Sequence, residues 1–94
     1  MSRKEIIQKA IHHWGSMQQQ IVCMEECAEL TQAISKMIRY PDKSTDNITE
    51  EIADVLICIE MLKEIYGISE EEIESVIDQK LERTRKRIKG ERHE

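Results

Sequence analysis

The stretch MEECAELTQA, residues 24–33, sets Glu25, Glu26 and Glu29 within five positions of a segment that otherwise reads as a buried helix. A second acidic group, EEIADV, follows with Glu50, Glu51 and Asp54. Glu26 and Glu29 are three apart, as are Glu51 and Asp54, a spacing that makes neighbours on a helix surface. Like charges at that spacing repel, and a carboxylate taken out of water without a partner costs far more. On a solvated helix face Lys or Arg commonly sits four residues on; here those positions are Leu30, Ala33, Val55 and Cys58. Acidic pairs set among apolar neighbours need a compensating charge. Four carboxylates converging from two facing helices suit a hard divalent cation, Mg²⁺ or Mn²⁺, bound through oxygen. A di-iron centre fits worse, because those sites use Glu-x-x-His and none of His12, His13 and His93 has a Glu three residues before it.

Apolar residues recur at helical spacing almost throughout, which predicts four helices. The first runs from about Arg3 to Trp14, with Ile6, Ile7, Ala10, Ile11 and Trp14 on one side. Gly15 interrupts it and Ser16 is placed to cap the second, about Met17 to Arg39. Residues 40–47, YPDKSTDN, hold the only proline and a cluster of turn formers, so they form a loop. Asn47 and Glu50 are spaced as a capping box for a third helix starting near Ile48. Ile48, Ile52, Val55, Ile59 and Leu62 mark its inner face, and Gly67 ends it as a left-handed C-cap. Ser69 and Glu72 open the fourth helix, whose stripe is Ile73, Ile77, Leu81 and Ile88. Basic residues in its last turns complement the negative end of the helix dipole.

These elements can bring the two acidic groups together. Glu29 lies about 15 Å from the end of its helix, and Glu51 about 6 Å into the next, at 1.5 Å per residue. The loop must make up about 9 Å and cross about 10 Å between packed helices. Eight extended residues reach about 26 to 29 Å, so the geometry closes. The expected architecture is all-α, a four-helix bundle in one domain over residues 1–94.

Ninety-four residues bury a limited share of their surface, which favours help from a metal or a second subunit. The net charge of −5 leaves no basic excess for non-specific nucleic-acid binding. No apolar run approaches a bilayer's thickness and the N-terminus lacks a signal-peptide core, so the expected compartment is the cytoplasm and no membrane is involved. Cys23, Cys27 and Cys58 then read as small apolar core residues, and their spacing with a nearby His matches no standard zinc finger. Met17, Met24, Met37 and Met61 read as core filler. Trp14 is the only Trp in a chain with no Phe; it is either a core anchor or a platform for stacking a base. The apolar faces of the second and third helices look too broad for one chain to cover, which predicts a homodimer or homotetramer.

Taken together, EECAE at 25–29, 21 intervening residues and EIAD at 51–54 resemble the EExxE…ExxD pattern of the MazG-like all-α nucleoside triphosphate pyrophosphohydrolases. WGSMQQQIVCMEECAEL upstream and QKLERTRKR downstream extend the resemblance over nearly the whole chain. It implies Mg²⁺-dependent hydrolysis of a nucleoside triphosphate to a monophosphate and pyrophosphate, with Glu26, Glu29, Glu51 and Asp54 as metal-binding carboxylates. Glu25 matches the first Glu of the pair and, with Glu26 and Glu51, a catalytic set; its part is to orient water, hold a second ion or support the other ligands. Lys80 and Arg83 match basic positions that face substrate phosphates. Gln19, seven residues before Glu26, lies on the same helical stripe and suits a substrate-facing group. Phosphoribosyl-ATP and dUTP pyrophosphohydrolases are near alternatives in the same superfamily. A helical interaction module without chemistry is the alternative from another class. There is no Gly-rich phosphate loop, so a P-loop mechanism does not apply.

Overall fold

The computed structural model describes residues 1–90; His93 lies outside the described residues. Four helices follow one another, α1 (Arg3–Trp14), α2 (Ser16–Arg39), α3 (Asp46–Tyr66) and α4 (Glu70–Gly90), with no strand among the described residues.

Each boundary has a local cause. Ser2 and Glu5 form a capping box on α1: the Glu5 N–H donates to Ser2 Oγ at 3.1 Å, and the Ser2 N–H to Glu5 Oε1 at 3.3 Å. Gly15 turns the chain into α2 at φ +90°, a conformation open to glycine and strained for other residues. With a single residue between the helices, Gly15 itself is the N-cap and Ser16 is already helical, so the expected serine cap is absent. In the following loop, Arg39 and Lys43 stand over the Tyr40 ring at 5.6 and 5.7 Å. The Asn47–Glu50 capping box is absent too. Helix α3 starts earlier, at Asp46, whose N–H donates to Ser44 Oγ at 3.1 Å. Gly67 closes α3 in the left-handed region (φ +63°), and the Ile68 N–H reaches back to the Lys63 carbonyl at 2.9 Å. Ser69 Oγ then accepts from the Glu72 N–H at 3.1 Å, capping α4 as its spacing predicts.

Helices α2 and α3 pack together most extensively, and α1 lies against both. The α2 side of the seam is Gln19, Cys23, Glu26, Leu30, Ala33 and Met37, spaced four, three, four, three, four. On α3 it is Ile48, Glu51, Val55, Cys58, Leu62 and Ile65. Alternating threes and fours keep one stripe facing a partner helix along its length. Small side chains sit where the backbones meet: Cys23, Ala33 and Cys58 are buried, and the Cys23 thiol points at the Cys58 carbonyl oxygen, 3.7 Å away. The Tyr66 hydroxyl donates to Gln20 Oε1 at the far end of the seam.

Several expected core residues lie elsewhere. Ile52 and Ile59 are exposed, because the seam runs through Glu51 and Cys58 and turns the more apolar flank of α3 outward. Met17, Met24 and Ile6 are exposed as well, and Trp14 is 60 % exposed at the end of α1, which excludes the core-anchor reading within this chain. Helix α4 makes almost no packing contact with α1–α3. Lys63, steadied by Glu60 within α3, ties the start of α4 to α3 by its ion pair with Glu70. The radius of gyration is 17.1 Å, against about 12 Å for a compact chain of this length.

Candidate metal centre and active site

Midway along the α2–α3 seam the packed stripe changes from apolar to acidic. One carboxylate oxygen each from Glu26, Glu51 and Asp54 lies within 4.8 Å of the others. All three side chains are half-buried, unlike those on an ordinary solvated acidic face. Glu26 Oε2 and Glu51 Oε2 are closed off from solvent and have no hydrogen-bond partner.

The electrostatics follow from this crowding. Burial, then the charges of Glu29 and Asp54, push the Glu26 carboxyl from its ordinary 4.5 up to about 7. Burial also leads for Glu51, which is raised next by the charges of Glu29 and Asp54. Buried polar atoms are normally paired, and two orphaned carboxylate oxygens among converging like charges require a cation or shared protons. An all-oxygen donor set of this kind fits a hard divalent ion.

The other residues picked out by the sequence are spread more widely. Glu29 is exposed at the rim, near enough for its charge to raise the Glu51 carboxyl but outside the group of three. Glu25 is exposed on α2 and also outside that group. Gln19 is buried in the seam, two turns toward the start of α2. Trp14 meets the His13 ring edge-on, with centroids 4.8 Å apart. Lys80 and Arg83 are exposed on α4, and no packing within the chain holds that helix against the carboxylates.

Of the three cysteines expected as small apolar core residues, Cys23 and Cys58 are buried and border the acidic group, whereas Cys27 is exposed on the outer side of α2. Cys23 is three residues before Glu26 and Cys58 four after Asp54, so helical spacing carried the signal. Burial, then a hydrogen bond with Cys23, pushes the Cys58 thiol up to about 12, and the Glu26 charge adds to the shift. At neutral pH this thiol stays protonated and uncharged. It serves as an uncharged wall beside the carboxylates.

No helix among the described residues is long and apolar enough to cross a membrane. No curated protein and no solved structure matches the chain. The family described as the MazG nucleotide pyrophosphohydrolase domain matches residues 17–90, which takes in both acidic motifs and all of α3 and α4. With its four helices and its paired acidic motifs, the chain belongs to the MazG nucleotide pyrophosphohydrolase family and is a hydrolase of nucleotide pyrophosphate bonds.

Proposed function

We propose that this chain hydrolyses a nucleoside triphosphate to the monophosphate and pyrophosphate with Mg²⁺, for which Mn²⁺ can substitute. The observation that carries the reading is the pair of buried, unpartnered oxygens on Glu26 and Glu51 beside Asp54. In this reading Glu26, Glu51 and Asp54 hold the cation and Glu29 joins them from the rim. A cation bound there supplies charge neutralisation for the polyphosphate and lowers the pKa of the attacking water. Glu25, exposed on α2 next to Glu26, would orient that water, hold a second ion or support the ligating carboxylates. Lys80 and Arg83 steady the negative charge that develops on the pyrophosphate leaving group. The exposed Trp14 ring offers a face for stacking its base, whereas the Gln19 amide, buried in the α2–α3 seam, is closed to substrate within the single chain.

Self-association belongs to the same proposal. The described chain buries only Ile7, Cys23, Ala33 and Cys58 among its apolar residues, and exposed apolar side chains line α2, α3 and α4. A homodimer or homotetramer covers those faces and brings α4 against other helices. Three free cysteines suit the reducing cytoplasm.

Pyrophosphate release from a panel of canonical and modified nucleoside triphosphates, with and without Mg²⁺, tests the activity. Glu51→Gln is expected to lower turnover by about 10²-fold or more while the helical circular dichroism stays unchanged. Parent-like turnover in that variant overturns the role given to Glu51.

A further inference from the structure

We infer that α4 is a self-complementary docking surface that pairs antiparallel with α4 of a second copy of this chain. The inference deepens the self-association proposed above and rests on it; it is independent of the chemistry.

Helix α4 has an exposed apolar stripe with nothing among the described residues to cover it. Ile77, Leu81 and Ile88 are exposed, Ile73 is half-buried, and the helix scarcely touches α1–α3. Most helices in folded proteins owe their stability to packing of an amphipathic face, so a 21-residue helix with so little packing is incomplete.

Charge identifies the occupant. Residues 70–78 contain five acidic and no basic side chains, and residues 80–89 contain six basic and one acidic. The helix dipole accounts for charges in the first and last turns only, because its influence fades within a turn. Here the division reaches the middle of the helix. Such a helix repels a parallel copy of itself along its whole length and attracts an antiparallel one.

The register follows from the stripe. A two-fold axis between residues 80 and 81 sets Ile73 opposite Ile88 of the second copy, Ile77 opposite Thr84, and Leu81 against the apolar stem of Lys80. On the flanks, Glu72 then comes within reach of Arg87 and Glu74 of Lys89. Both contacts occur twice, as an isologous interface requires.

Charge reversal on the full chain tests this, read by sedimentation velocity and native mass spectrometry. Arg87→Glu with Lys89→Glu, and separately Glu72→Lys with Glu74→Lys, are each expected to weaken association at least tenfold. Mixing the two variants is expected to restore parent-like association as a mixed dimer. If each variant alone associates as tightly as the parent, α4 is not the contact, and the apolar groove between α1 and α3 beside Ile6 and Leu56 becomes the place to look. Failure of the mixture to recover overturns the antiparallel pairing. A monomeric parent chain overturns the α4 surface together with the self-association beneath it.

Discussion

At the scale of single residues, Glu26 is the carboxylate most strongly perturbed by its surroundings. Its carboxyl, raised from 4.5 to about 7, binds protons more tightly in the folded chain than in the unfolded one. The sign of the pH dependence follows: this contribution to stability is fully present below about pH 4.5 and is lost as pH rises through about 7. In a chelator, the melting temperature is therefore expected to fall as pH rises from about 5 to 8, and a flat profile would contradict the crowding. Glu26→Gln removes one of the repelling charges and is expected to raise the chelator melting temperature above pH 7 while weakening the response to Mg²⁺. Titration calorimetry should show Mg²⁺ affinity rising over the same interval, because protons compete for the same oxygens.

Among the elements, the α2–α3 seam fixes the site, and small side chains set how closely the two helices approach. Ala33 is 1 % exposed, so Ala33→Leu has no room and is expected to cost about 1–3 kcal/mol in urea unfolding. Gly67 makes a different demand. A Cβ there meets no atom within 4 Å, so the penalty for Gly67→Ala is the backbone's own, about 1–2 kcal/mol for an L-residue in the left-handed region. An Ala33→Leu variant as stable as the parent would show that the seam is looser than described.

For the molecule as a whole, the acidic centre opposes folding, and in the proposed reading a bound cation would relieve it. Mg²⁺ at about 100 times its dissociation constant is expected to stabilise the fold by about 2.7 kcal/mol, through binding the native state alone. Differential scanning calorimetry in millimolar Mg²⁺ reads this as a rise in melting temperature, and an unchanged transition would remove the cage. Exposed apolar stripes on three of the four helices give the chain a second reason to be incomplete alone, so it is expected to sediment at no less than twice its 11.1 kDa.

The sequence alone determined the four helices, the glycine that ends α3 and the two acidic motifs, because periodicity, capping chemistry and i,i+3 spacing are local properties of the chain. It also determined that α2 and α3 could carry the motifs to one level. Only the tertiary structure decided which flank of each helix turns inward. Glu51 and Cys58 took seam positions that hydrophobicity assigns to Ile52 and Ile59, and Trp14, Met17 and Met24 were left outside, since an isolated helical stripe does not reveal where its partner lies. It likewise separated Glu26, Glu51 and Asp54, whose oxygens converge, from Glu25 and Glu29 at the rim. Which of five neighbouring carboxylates meet depends on the rotation of two helices about their axes, and that is set by the packing of Cys23, Ala33 and Cys58.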